Sequence, residues 1–426
     1  MASSQGHVEL ARLLVEHGAD VAARDEHGST PLHEACQSGS SLELALFLVE
    51  HGADPATKDR FGGTPLHRAS CHDDVLLAQF LIVHGADVAA QSYLGTPLHR
   101  ASQFGHLELA RLLVEHGANV TDQDEDGQPL HLTSQGCYIE VARFLVEHGA
   151  DAAAQDESGR TALHEASSQG HVWFARFLIE HGADAGARFN DCWTPLHEAS
   201  QDGHVELARL LLEHGADVAA RHDLWGTPLH FACSGDHVEL ARLLVEHGAD
   251  VAARTKRGSA PLHRASSRGH VELTQFLVEH GADVAVQKKN GSAPLHLAAA
   301  GGHAELAQFL IEHGVDVGVR KKYGSTPLHL ASERGEMELA QLLVKHGADV
   351  TSRDNRGWTP LHRASYRGYF ELALFLVEHG ADATAQDNRG WTPLHLASQR
   401  DHAELTRLLV EHRAVLQGTA LVERTS

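Results

Sequence analysis

The 426-residue chain is poor in the residues from which disulfide frameworks, metal knuckles and membrane spans are built. Its five cysteines, Cys36, Cys71, Cys137, Cys192 and Cys233, form no Cys-x-x-Cys pair, which points away from a disulfide framework or a zinc site and fits a reducing compartment. No run of about 18 apolar residues occurs, so membrane spanning has no signal. The start, Met-Ala-Ser-Ser-Gln-Gly-His, lacks a basic region followed by an apolar stretch, so secretion has none either. Positive charge is in deficit: 35 Lys and Arg against 57 Asp and Glu leave a net charge of −22. That balance argues against nonspecific binding of nucleic acid or anionic membrane by the whole molecule and predicts solubility. A cytoplasmic, intracellular monomer is expected. No Gly-x-x-x-x-Gly-Lys-Ser/Thr phosphate loop and no Gly-x-Gly-x-x-Gly after a strand are present.

What the chain has is a repeat. Thr30-Pro31-Leu32-His33 returns intact at His67, His99, His197, His230, His329, His362 and His395, and with one change at His131, His164, His263 and His296. From His131 onward the step is always 33 residues, a period that takes precedence over any globular reading of the length.

The tetrapeptide reads as a helix start. Thr caps with its hydroxyl, Pro suits the first helical position, Leu points into a core, and neutral His holds one donor and one acceptor with which to tie the start to a neighbouring loop. In the unit 96–127 the spacing predicts one helix from Thr96-Pro97 to about Gly105 and a second over roughly 107–116. In the first copy of that second helix, Val8, Leu10, Ala11, Leu14 and Val15 form the apolar side, and Glu9, Arg12 and Glu16 line the other. It ends at His17-Gly18, where Gly suits the left-handed residue past a helix and His meets free carbonyls. A polar stretch such as Asp25-Glu26-His27-Gly28 then reads as a hairpin-like turn into the next unit.

Asp-x-x-Gly-x-Thr-Pro-Leu-His, then Ala, Gly-His-x-Glu-Leu-Ala and Leu-Leu-Val-Glu-His-Gly-Ala-Asp-Val together resemble the ankyrin repeat over about residues 2–412. The resemblance implies an all-α repeat solenoid of antiparallel helix pairs, with projecting β-hairpin-like fingers and a concave face of finger tips and first helices. Residues 1–412 are read as one array: an N-terminal half repeat and finger at 1–27, about twelve full repeats over 28–412, and a tail or cap at 413–426. Residues 2–20 match the back half of a later repeat such as 166–184, so the chain is read as starting mid-repeat, either as a fragment or as a gene model begun at an internal Met. Kinks are expected at an extra residue near Ser40-Ser41, and at 188–194, where Phe189 replaces the usual Asp and Cys192 the usual Gly.

Thirty-six histidines invite a metal reading, which their distribution opposes. Twelve belong to Pro-Leu-His, thirteen sit at helix ends from His17 to His412, and eight open second helices, as His106 and His270 do. His27, His72 and His222 remain, none with His-x-x-x-His or His-Glu-x-x-His spacing. A residue that repeats with the unit satisfies a geometric need of the unit. No metal, cofactor, small-molecule substrate or catalytic residue is assigned, because Ser, His and Asp recur in every unit as scaffold.

Binding information belongs where copies differ. Arg254, Lys256 and Arg257, then Lys288 and Lys289, then Arg320, Lys321 and Lys322 place eight cations on three successive fingers, and first-helix Arg264, Arg268 and Arg334 extend them, with Glu333 interrupting. Asp122, Asp124, Glu125 and Asp126 form an opposite patch. Aromatics are scarce, at 5% of residues, and several fall on fingers: Phe61, Tyr93, Trp225 and Tyr323 as candidate anchors, and Trp193, Trp358 and Trp391 before Thr-Pro, where packing on the next finger is favoured. Trp173 and Phe231 are also expected to pack. The function this supports is a noncatalytic protein-binding scaffold or adaptor. The alternative is the sensor or regulatory arm of a larger signalling receptor, with polyanion binding, metal storage and catalysis behind it.

Overall fold

A computed structural model describes residues 8–37, 42–190, 192–222 and 224–412. The kink expected near Ser40-Ser41 and the cap at 413–426 fall outside the described residues.

Helices begin and end where the repeated signals place them. Thr96 is extended (φ −90°, ψ 170°), Pro97 takes the first helical position, and helix Pro97–Phe104 stops at Gly105, whose φ of 76° is left-handed. The second helix, Leu107–Glu115, starts after one more residue and closes a helical hairpin. The chain divides into two compact units, Met1–Asp217 and Val218–Ser426, and both are built this way. Among the described residues the first holds thirteen helices, Val8–Glu16 through Val205–Glu213. The second holds eleven, Pro228–Gly235 through Pro393–Gln399, followed by helical residues 403–412.

Helices of six to nine residues do not hold themselves in water, so stacking supplies the stability. Within each unit, first helices pack on the first helices of the adjacent repeats and second helices on second. The Leu of Pro-Leu-His is fully buried at Leu262, Leu295, Leu328 and Leu361 and only partly so in the last copy, at Leu394, and each fully buried side chain contributes about 1.5–3 kcal/mol. Each unit is thus an all-α solenoid whose core runs along the stack.

The Pro-Leu-His histidines bolt repeat to repeat. The backbone N–H of Thr326 donates to His329 Nδ1 at 3.2 Å; an N–H can only donate, so Nδ1 is unprotonated and the proton sits on Nε2. His329 Nε2 then donates to the carbonyl of Trp358, in the next finger, at 3.0 Å. The same pair of bonds recurs at His33, His67, His99, His131, His230, His263, His296 and His362. His395 takes the N–H of Thr392 at 3.1 Å and is exposed. The other two histidine classes act likewise: His280 Nδ1 donates to the Phe276 carbonyl at 2.8 Å, ending its helix, and His270 Nε2 donates to the Ser234 carbonyl at 3.3 Å, one repeat back.

The fingers are tight turns, and among the described residues pairing is limited to isolated bridges such as Ser92 with Gly95. At 188–194 the turn is rebuilt: Phe189 bridges to Trp193, and Asn190 (φ 23°) and Cys192 (φ 71°) take left-handed backbone. His164 there meets the Phe189 ring edge-on at 4.8 Å.

Candidate functional site

A finger with the usual Asp is closed by that side chain. Asp354 Oδ1 accepts the backbone N–H of Arg356 (2.8 Å) and Trp358 (3.0 Å), and Oδ2 pairs with Arg363 at 2.7 Å. Asp59 does the same for Phe61 and Gly63 and pairs with Arg68 at 3.2 Å. Adjacent fingers are also tied by backbone: Lys289 N–H donates to the Arg257 carbonyl (3.1 Å), Lys322 N–H to Asn290 (2.9 Å) and Asn355 N–H to Tyr323 (3.0 Å). Gly258 and Gly291 permit this approach. Each has φ of 77°, and a Cβ there would stand 3.0 Å from Lys289 N and 2.8 Å from Lys322 N. The tips of three successive fingers therefore have fixed spacing.

On this frame the eight cations separate into three kinds. Arg254 Nη2 donates to the Gln287 carbonyl at 2.8 Å and Arg320 Nη2 to the Arg353 carbonyl, so both serve as staples to the next finger. Arg24 and Arg353 do the same to Lys58 and Gln386, which marks this as a property of the repeat. Lys288 and Lys321 occupy the closing Asp position and are half-buried. Burial, with Arg264 and then Lys321 adding repulsion, pushes the Lys288 ammonium down to about 8. Burial lowers Lys321 also, against the opposing pull of Glu333. Lys256, Arg257, Lys289 and Lys322 are exposed at the tips. Glu333 is half-buried and held by Arg363 and Arg367.

The four candidate aromatic anchors are all exposed: Phe61, Tyr93, Trp225 and Tyr323, the last at 70%. Phe61 and Tyr93, on neighbouring fingers, have ring centroids 5.5 Å apart. Trp358 packs, with Nε1 donating to Asp387 at 3.0 Å and its ring stacked on His362, and Trp193 stacks on His197.

Two expectations are corrected. Trp173 does not pack: it is 77% exposed, because it occupies the outward position that Glu108, Glu140 and Glu206 hold in their helices. Asp124 is not part of an exposed acidic patch. Its side chain is 6% exposed, closing its finger and facing His99 at 3.9 Å, which leaves Glu125 and Asp126 exposed beside it. His222, unassigned in the sequence, replaces the closing Asp, its Nδ1 accepting the N–H of Leu224 (3.3 Å) and Trp225 (3.2 Å). Sequence reasoning also missed Thr255 and Ser259 beside the basic tips; comparing each finger's closing residue with the first-helix residue nine positions later would have singled out Thr255, opposite Arg264.

Among the described residues no group of three or more His, Cys, Asp or Glu could hold a metal ion, and no helix is long and apolar enough to cross a membrane. Burial pushes the Cys36 and Cys233 thiols up, which leaves them poor nucleophiles.

Comparison with known proteins agrees with the repeat geometry. A family model described as ankyrin repeats (3 copies) matches residues 1–59, 55–124, 121–189, 185–255, 219–288, 262–354 and 295–387, and one described as ankyrin repeats (many copies) matches 365–410. Over 34 residues, 8% of this chain, the sequence is 56% identical to protein phosphatase 1 regulatory subunit 27 of Homo sapiens, and equally to that of Mus musculus. That match covers 22% of each of these relatives, so the chain spans less than a quarter of their length. With helical hairpins, bonded histidines and tight fingers recurring through both units, and with repeat models matching from residue 1 to residue 410, the chain belongs to the ankyrin-repeat family.

Proposed function

We propose that this chain is a noncatalytic interaction module that binds an acidic surface of a protein partner through the finger tips of residues 254–323. Ankyrin repeats are protein-interaction modules, and the short match to a phosphatase regulatory subunit is of the same kind. The observation that carries the reading is the fixed row of exposed Lys256, Arg257, Lys289 and Lys322, ending at exposed Tyr323, on fingers tied by backbone hydrogen bonds. Rigid, like-charged tips on a chain of net charge −22 steer and orient a partner, and an exposed Tyr supplies an anchor.

The test is capture from a native lysate by the wild-type chain and by a variant with Lys256, Arg257, Lys289 and Lys322 all changed to Glu, circular dichroism confirming that both fold. The variant is expected to lose one specific protein, and capture by the wild type to weaken as salt is raised. Equal capture by both would overturn the reading and move the search to the Phe61–Tyr93 pair.

A further inference from the structure

In the fingers of Asp59 and Asp354 the closing carboxylate also neutralises the first-helix arginine nine residues later, Arg68 or Arg363. Arg264 stands nine residues after Thr255, which has taken the Asp position. Thr255 still closes its turn, accepting the Ser259 N–H on its hydroxyl at 3.1 Å, but brings no charge. In the next finger the Asp position holds Lys288. Relative to two aspartates, these residues raise the local charge by three units, one at Thr255 and two at Lys288.

Between them lies a recess of about 460 Å³, walled by Thr255, Arg264 and Lys288 together with Trp225, Ser259 and Lys289. Ser259 is only 5% exposed, yet its Oγ has no hydrogen-bond partner, and neither does Arg264 Nε. Buried donors without partners are costly until something satisfies them. The Arg264 guanidinium is held in place, its Nη2 donating to the Trp225 carbonyl at 3.4 Å and its Cζ 6.0 Å from the Trp225 ring centroid. The charges acting on Lys288 are Arg264 and Lys321, and the one acting on Arg264 is Arg268, cations in every case.

We propose that this recess receives a phosphoryl group carried on a peptide segment of the partner, with Arg264, Lys288 and Ser259 donating to its oxygens and the Trp225 ring flanking the peptide. This rests on the protein-binding reading above and adds the chemistry that the partner must present. One carboxylate restores one of the three missing negative units, whereas a phosphomonoester carries about −1.5 to −2 at pH 7 and three acceptor oxygens. Guanidinium recognises that geometry with paired N–H donors. A nucleic acid is disfavoured by the field of a chain of net charge −22 and by the single aromatic ring in the wall, because strands bind along runs of stacked rings.

The probes are a set of immobilised serine, threonine and tyrosine phosphopeptides, each beside its unphosphorylated twin, and a single-stranded dT oligonucleotide. The proteins are the full chain and the double variant Thr255→Asp/Lys288→Asp, which restores the residues that close the sister fingers and should therefore fold. At least tenfold preference for some phosphopeptides over their twins, lost in the variant, is expected. Equal retention of twins, equal binding by the variant, no retention, or preference for the oligonucleotide would each overturn the proposal. Phosphatase treatment of the lysate separates it from the broader reading: if the partner is still captured through the tips after dephosphorylation, acidic-surface binding stands and the phosphoryl site falls.

Discussion

Arg363 and Asp354 lie 2.7 Å apart across the base of one finger, with Asp354 almost wholly enclosed. The same carboxylate accepts two backbone N–H groups, so it holds the turn and the arginine together. Replacing Asp354 by Ala leaves those two N–H donors without their acceptor, while the Arg363 guanidinium keeps Glu333, 3.0 Å from Nη1. A loss of about 1–3 kcal/mol is expected, the range for leaving buried donors unsatisfied. Urea unfolding of the variant gives the measurement, and a midpoint within error of the wild type would show that the pair is ornamental.

The opposite change is available two and three repeats earlier. Ala260 and Ala293 occupy the cap position that Thr holds at Thr326 and Thr359, and Nδ1 of the following histidines keeps only the backbone N–H, without the hydroxyl. Restoring the hydroxyl with Ala260→Thr and Ala293→Thr should stabilise the second unit by about 1 kcal/mol per site, typical of a cap. Thermal melts of the single and double variants check both size and additivity. A lower melting temperature would mean that the Thr methyl clashes at these starts.

Trp173 supplies a control of the opposite kind. It lies outward on helix Val172–Glu180 at 77% exposure, so Trp173→Glu removes little packing. The expected change in stability is within about 0.5 kcal/mol, as for ordinary surface positions. A larger loss in a urea titration would show that the ring is covered in solution.

These cases mark how far the sequence was legible. Helix starts at Thr-Pro-Leu-His and ends at His-Gly were readable because their causes are local: a cap, a ring-fixed φ, a left-handed glycine. The roles of Arg254 and Arg320 were not, since the carbonyls they reach lie 33 residues away and a carbonyl carries no sequence signal. Trp173 misled because aromatic character suggests packing, while its place in the helix period, shared with Glu108, points outward. The recess at Arg264 was hidden in an absence, the aspartate that Thr255 replaces, and becomes visible only when the Arg363–Asp354 pair is known.

The histidine bolts make stability depend on pH in a direction that can be worked out. Burial first, and then nearby cations at several sites, holds His67, His230, His296 and His329 down to about 4 and His263 to about 3, below the ordinary 6.5. Protonating Nδ1 would also set two donors against each other, since that atom accepts a backbone N–H. The unfolded chain therefore takes up protons before the folded one. The stability that these groups contribute is fully present above about pH 6.5 and is lost progressively as pH falls toward 4. Urea midpoints at pH 7, 6, 5 and 4 are expected to fall steadily, with helical circular dichroism lost near the acid end. A flat series would mean that the bolts accept protons without breaking, and would remove the histidines from the account of what holds the stack together.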